Sequence, residues 1–219
     1  MNFEQARFNM VEQQIRPWDV LDTSILDLLF HVKREDFVPE EKRSLAFADV
    51  QLPLENGCTM LEPKVEARLL QDLQVKSSDK VLEVGTGSGY MTALLAAVSQ
   101  HVYSVDLDAE QSQRAAANLK TAGIRNVTLS VGNGIEGLAS QAPFDVIFVG
   151  GSVPVVPDAL KAQLAVGGRL AVIAGDAPVM IAKVITRVSE SAYQESVSFD
   201  TNIARLQQLD AIEPSRFSF

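Results

Sequence analysis

The stretch Val81-Leu82-Glu83-Val84-Gly85-Thr86-Gly87-Ser88-Gly89-Tyr90 constrains the fold more than any other part of the chain. Its first half reads as a buried strand. The glycines then let the backbone turn sharply, and Tyr90 opens an apolar helical run. A strand that passes through a glycine turn straight into a helix is the opening unit of an α/β sheet.

The same stretch narrows the ligand. The glycines follow G-x-G-x-G, and Tyr90 stands where a dinucleotide G-x-G-x-x-G has its last glycine. Glu83 would also place a carboxylate beside the phosphates of a dinucleotide. S-adenosylmethionine suits the loop better, since it carries an amino-acid tail and no pyrophosphate. Its carboxylate meets backbone N–H groups at Gly85, Thr86, Gly87, Ser88 and Gly89, and its ammonium lies near Glu83.

After this unit, strands and helices alternate. Strands are expected at residues 80–84, 101–106, 127–131, 144–149 and 169–174, with helices at 90–98, 109–122 and 157–164. Residues 181–188 and 193–199, rich in β-branched and aromatic side chains, read as a hairpin at the sheet's edge. Before residue 74 the pattern is helical and loop-rich. Helices are expected at residues 3–15, ended by Pro17, at 23–32, capped by Asp22 or Thr23, and at 64–73 behind Pro63. Residues 46–54 read as extended. Arg34-Glu35-Asp36-Phe37-Val38-Pro39-Glu40-Glu41 reads as a charged, solvated connection. The fold expected is therefore α/β. It is a Rossmann-like, seven-stranded sheet of the methyltransferase type, mostly parallel with an antiparallel C-terminal edge strand, plus a helical N-terminal extension. Residues 1–76 would form the extension and a substrate-side loop, and residues 77–219 the donor-binding core.

In an open parallel sheet, ligands bind beyond the carboxyl ends of the strands. Beyond the glycine loop, two further ends carry suitable residues. Asp106 closes its strand about twenty residues past Gly85, where an acid accepts hydrogen bonds from ribose hydroxyls. Leu107 follows, placed to pack on adenine. Asn133, in Gly132-Asn133-Gly134, can bond the adenine amino group, although Asn-Gly also favours a tight turn by itself.

Composition limits the alternatives. A net charge of −9 over 219 residues, without a Lys/Arg cluster, argues against a nucleic-acid or anionic-membrane partner. Cys58 is the sole cysteine, so no intrachain disulfide is expected. No basic-then-apolar leader and no bilayer-length apolar run is evident, and a cytoplasmic protein is expected. His31 and His101 lack ligand spacing, and Asp145 begins its strand instead of ending it, so no metal is expected. Oligomeric state is not legible.

Several stretches resemble the protein-L-isoaspartate O-methyltransferase family. They are Arg34 to Glu41, Leu82 to Tyr90, Val102-Tyr103-Ser104-Val105, Ala142-Pro143-Phe144-Asp145-Val146-Ile147 and Val166-Gly167-Gly168-Arg169-Leu170. The resemblance spans nearly the whole chain. It implies methylation of the free α-carboxylate of isoaspartyl residues in damaged proteins or peptides, with S-adenosylmethionine as donor. The ester then cyclises to a succinimide, which makes the reaction a repair. A carboxylate is already ionised at neutral pH, so the chemistry needs alignment and water exclusion, not a general base.

The chain departs from the family on the acceptor side. The family's loop resembles Gly-Gln-Thr-Ile-Ser-Gln-Pro, whereas this chain has Gly57-Cys58-Thr59-Met60-Leu61-Glu62-Pro63. Leu61 therefore occupies the position of a serine at the family's active site. Gly150-Gly151-Ser152 replaces a Thr-Ala-Ala stretch, and Asn133 replaces an aspartate. Thr59 and Ser152 are the hydroxyls available to replace the lost serine. Glu62 adds a negative charge that would oppose an anionic acceptor if it pointed inward. Two alternatives stay open: a methyltransferase of this fold with another acceptor, and a donor-binding protein without turnover.

Overall fold

The computed structural model describes residues 1–209. Asn2 caps the first helix, accepting from the Gln5 N–H at 3.2 Å, and the helical stretch expected over residues 3–15 changes winding midway. It runs as α1 (Phe3–Asn9), then a π-helical segment Met10–Ile15, then a 3-10 turn Arg16–Trp18 that contains Pro17. The chain leaves it at Asp19 with a φ of 60°. Asp22 caps α2 (Thr23–His31) by accepting from the Ser24 N–H at 2.8 Å.

Residues 46–54 are less extended than their composition suggests. Only β1 (Leu52–Pro53) is a strand there, paired antiparallel with β2 (Thr59–Met60) across the turn Glu55–Gly57. Pro63 then opens α3 (Pro63–Leu73).

The strand–helix alternation follows in the expected order, with α6 shorter and β6 and β7 longer than expected: β3 (Lys80–Val84), α4 (Tyr90–Val98), β4 (His101–Asp106), α5 (Ala109–Thr121), β5 (Val127–Val131), β6 (Phe144–Val153), α6 (Asp158–Ala162), β7 (Leu164–Asp176), β8 (Val179–Arg187) and β9 (Tyr193–Thr201). They form one seven-stranded sheet in the order β5-β4-β3-β6-β7-β8-β9. The pairs from β5 through β7 are parallel. The C-terminal hairpin is antiparallel, with β8 reversed and β9 returning at the edge.

Alternate residues of β3 serve opposite faces, as the period of a strand requires. Val81 packs in the cluster with Leu69, Leu94 and Phe148, against the N-terminal helices, α3 and α4. Leu82 and Val84 pack on the other face with Ile147, Leu160 and Leu170. Strand order reverses about β3, with β4 on one side and β6 on the other, and the cleft opens at the carboxyl ends of these strands. Among the described residues, no helix is long and apolar enough to cross a membrane.

Candidate active site

The cleft begins where β3 ends. Gly85 has a φ of +90°, and its N–H donates to the Val105 carbonyl at 2.8 Å, so the turn is stitched to β4. Gly150, at the end of β6, comes so close that a Cβ there would lie 2.9 Å from the Gly85 carbonyl oxygen. Bare backbone at Gly150 is what lets the two strand ends approach so closely. Gly89 has a different use from the one expected. It does not line the cleft, and a Cβ on it would lie 3.3 Å from Ala115 Cβ and Leu119 Cγ, so its bareness lets α4 start against α5.

Of the residues expected to hold the donor, Gly85, Thr86, Gly87, Ser88, Asp106, Leu107, Asn133 and Gly134 all line the cleft. Asp106 Oδ2 accepts from the Gly87 N–H at 2.9 Å and Oδ1 from the Asp108 N–H at 3.0 Å. Each carboxylate oxygen keeps acceptor capacity for a ribose hydroxyl. Asn133 Oδ1 accepts from the Ile135 N–H at 3.1 Å, so it shapes its turn as well as facing the cleft. A Cβ on Gly134 would lie 2.7 Å from Val84 Cγ1, so this turn also needs a bare backbone. This part of the lining fits an adenosyl ligand with an amino-acid tail: a glycine-lined floor, an acid, an amide and an apolar side chain at successive strand ends.

Glu83 is not part of it. It is wholly buried and absent from the cleft lining, because it sits where the strand's alternation points its side chain beneath the loop. Its Oε2 accepts from Thr92 Oγ1 and from Ser104 Oγ at 2.6 Å. Ser104 Oγ in turn accepts from Thr86 Oγ1 at 2.6 Å, so Glu83 props the glycine loop through two hydroxyls. Burial without a cationic partner raises its pKa to about 8, against the pull of the Ser104 and Thr92 hydrogen bonds.

Thr59, Met60 and Leu61, together with Gly150 and Gly151, line the same cleft. Leu61 is buried, and its carbonyl accepts from Arg34 Nη2 at 2.6 Å. Arg34 Nη1 pairs with Glu66, which itself lines the cleft. Burial raises the Glu66 pKa to about 7, with the Arg34 guanidinium pulling against it. Arg34 also lies 5.0 Å from the centre of the Tyr90 ring. The charged connection expected at the surface is thus partly core. Arg34, Glu35 and Phe37 are all buried, and Glu35 pairs with buried Arg7 of α1. Partners distant in sequence decide this, and composition does not reveal them.

Ser152 is also placed otherwise than expected. It is wholly buried off the cleft, and its Oγ donates to the Ile203 carbonyl at 3.1 Å. Thr59 is the acceptor-side hydroxyl that does line the cleft. Glu62 turns away from the cleft, with Oε1 accepting from Gln51 Nε2 at 3.3 Å. Cys58 is half-buried beside the cleft. Burial, with Asp106 and Asp108 nearby, raises its thiol pKa, which disfavours the reactive thiolate.

Sequence reasoning missed the roof. Residues 202–207 cross the cleft as a strap, with Ala204 to Gln207 in its lining. Leu206 sits over the floor: a Cβ on Gly85 would lie 3.4 Å from Leu206 Cδ2, and one on Gly151 would lie 2.7 Å from it. Paired glycines at 150 and 151 were the available signal that something packs there.

A family model described as Protein-L-isoaspartate(D-aspartate) O-methyltransferase (PCMT) matches residues 5–202. The protein-L-isoaspartate O-methyltransferase of Koribacter versatilis is 37% identical to this chain over 214 residues, 98% of this chain and 96% of that protein. Protein-L-isoaspartate O-methyltransferase 2 of Marinobacter nauticus is 37% identical over 206 residues, 94% of each chain. A crystal structure of a putative Plasmodium falciparum protein-L-isoaspartate O-methyltransferase, in complex with S-adenosyl-L-homocysteine, superposes with a TM-score of 0.77. It is 20% identical and covers 94% of this chain and 99% of that one, a likeness of fold.

Proposed function

This chain belongs to the protein-L-isoaspartate(D-aspartate) O-methyltransferase family, and from that premise we propose that its cleft joins a methyl donor to an isoaspartyl carboxylate. The protein is an S-adenosylmethionine-dependent carboxyl O-methyltransferase of the protein-repair class. When bound, S-adenosylmethionine supplies an electrophilic methyl group on a sulfonium.

The chain's own residues have three tasks. The first is to hold the donor. Asp106, Leu107, Asn133 and Gly134 suit the adenosine, and residues 85–88 suit the amino-acid tail. The second is electrostatic. Asp106 and Asp108 line the cleft and favour a cationic ligand over a neutral one. The third is to exclude water and align the acceptor, for which Met60, Leu61, Phe148 and Leu206 supply an apolar surround and Thr59 a hydroxyl. The acceptor carboxylate arrives ionised, so the reaction needs no base.

One observation carries this reading: a single cleft is lined both by the glycine loop, Asp106 and Asn133 and by residues 59–61 with Gly150 and Gly151. The test uses labelled donor with paired peptides, one isoaspartyl and one aspartyl. Methanol-releasable label on the isoaspartyl peptide alone supports the reading. Label on neither, in protein that binds S-adenosylhomocysteine, overturns it.

A further inference from the structure

A carboxylate that enters this cleft meets few groups able to hold it. Asp106 and Asp108 are acids. Among the described residues Arg205 is the one basic side chain of the lining, and its Nη2 is tied to the Gly175 carbonyl and to Asp176 Oδ1, each at 2.8 Å. Leu61 stands where the family has a serine hydroxyl. Beside Leu61, however, Arg34 holds two groups on one fork. Its Nη1 pairs with Glu66, and its Nη2 donates to the Leu61 carbonyl at 2.6 Å. The two nitrogens share a single carbon, so the Glu66 carboxyl and the acceptor loop at Leu61 sit side by side.

The Glu66 carboxyl is divided between protein and cleft. Oε2 is taken by Arg34. Oε1 has no hydrogen bond among the described residues, yet it is not sealed from water as Glu35 Oε2 and Glu83 Oε1 are, and Glu66 lines the cleft. Its surroundings set its charge. Burial favours the neutral acid, the Arg34 guanidinium favours the anion, and Glu62 at the start of α3 favours the acid again. Glu83 of β3 and Tyr90 of α4 face it as well. The balance leaves the carboxyl titrating at about 7, so both forms are present at neutral pH. An arriving carboxylate tips this balance, because two carboxyl groups in contact share one proton more readily than they carry two negative charges.

We infer that Glu66 recognises the acceptor as a neutral acid, its Oε1–H donating to the oxygen of the isoaspartyl α-carboxylate that does not react, in place of the hydroxyl that Leu61 lacks. This rests on the isoaspartyl reading above. A hydrogen bond from a carboxylic acid to a carboxylate is short and strong, and it holds an anion without a cation. Where Glu66 is ionised beforehand, it takes a proton from solvent as the acceptor binds. That proton stays on Glu66 through methyl transfer, and Oε2 stays with Arg34.

The test reads binding against pH. Protein saturated with S-adenosylhomocysteine is titrated with an isoaspartyl peptide that has no other group titrating between about pH 6 and 9. Wild-type affinity should hold below about pH 7 and fall by up to about tenfold per pH unit above it. Glu66→Gln keeps an oxygen for Arg34 and offers an N–H to the ligand at every pH. Its affinity should therefore stay level and exceed that of the wild type at the alkaline end. The same pH dependence in both proteins overturns the assignment and leaves the isoaspartyl reading standing. So does a Glu66→Gln protein that binds S-adenosylhomocysteine and not the peptide. Failure of the wild type to bind the peptide at any pH overturns that reading, and the assignment with it. Should Glu66→Gln fail to fold, proton uptake by the wild type decides. Calorimetry at about pH 8, in buffers of different ionisation enthalpy, should show about half a proton or more taken up per peptide bound, and a smaller uptake overturns the assignment.

Discussion

Arg34 Nη2 donates to the Leu61 carbonyl at 2.6 Å, so a residue from the segment after α2 holds the acceptor loop at its turning point. The same guanidinium pairs with Glu66 of α3, and both side chains are buried. Removing one member of such a pair leaves the other charge buried alone. Arg34→Met is expected to cost about 3–5 kcal/mol, and Arg34→Met with Glu66→Leu to cost clearly less, because the double change leaves no orphan charge. Urea unfolding of the two variants checks this. Equal losses would refute the pairing as the source.

Leu61→Ser restores a hydroxyl to the acceptor loop, where the family has its serine. Leu61 is buried and lines the cleft, so the exchange trades packing for hydrogen bonding. The expected outcome is a higher kcat/KM for isoaspartyl peptide, with stability lowered by about 2 kcal/mol. Methanol release from the ester product measures the first quantity and urea unfolding the second. An unchanged or lower kcat/KM in folded protein counts against the lost hydroxyl as the limitation.

Glu83 makes stability depend on pH. Burial raises its carboxyl from 4.5 to about 8 in the folded state. A folded chain that holds a proton the unfolded chain has released loses stability as pH rises, here between about 4.5 and 8. The slope from one group is at most about 1.4 kcal/mol per pH unit. Glu66 adds the same sign up to about pH 7. Glu83→Gln keeps an oxygen for Thr92 and Ser104 and cannot ionise. Its stability relative to wild type should therefore grow with pH across this window. Unfolding curves at pH 5, 6, 7 and 8, values chosen to span the roughly one-unit steps of that window, test it. A constant difference would show that Glu83 is ionised throughout.

The convergence of Gly85, Asp106 and Asn133 on one cleft was legible in the sequence because each is set by its own strand. Gly85 and Asn133 follow their strands and Asp106 closes its own, and strand ends in a parallel sheet converge on one side. Glu83 was misplaced for a related reason. Proximity to the loop in sequence was taken for proximity to the ligand, but the alternation of β3 turns its side chain below the loop. Arg34, Glu66 and Arg205 were invisible because each acquires its setting from a distant segment. Arg34 meets Glu66 across 32 residues, and Gln51 meets Asn202 across 151. Charge in a sequence favours a solvated reading until the partner is known.

Thr59 and Ser152 both offer a hydroxyl near the departures from the family, and their surroundings separate them. Thr59 lines the cleft; Ser152 is buried with its Oγ donating to the Ile203 carbonyl at 3.1 Å. Thr59→Val keeps the shape and removes the hydroxyl. If that hydroxyl contacts the reacting carboxylate, kcat/KM should fall by about tenfold or more, the worth of a hydrogen bond to a charged group. Ser152→Ala instead loosens the strap. Stability should fall by about 1 kcal/mol, with kcat within about twofold of wild type and any loss carried by KM. Steady-state kinetics with isoaspartyl peptide at saturating donor separate the two. A large fall in kcat for Ser152→Ala, without a fall for Thr59→Val, would move the reacting hydroxyl from the loop to the end of β6.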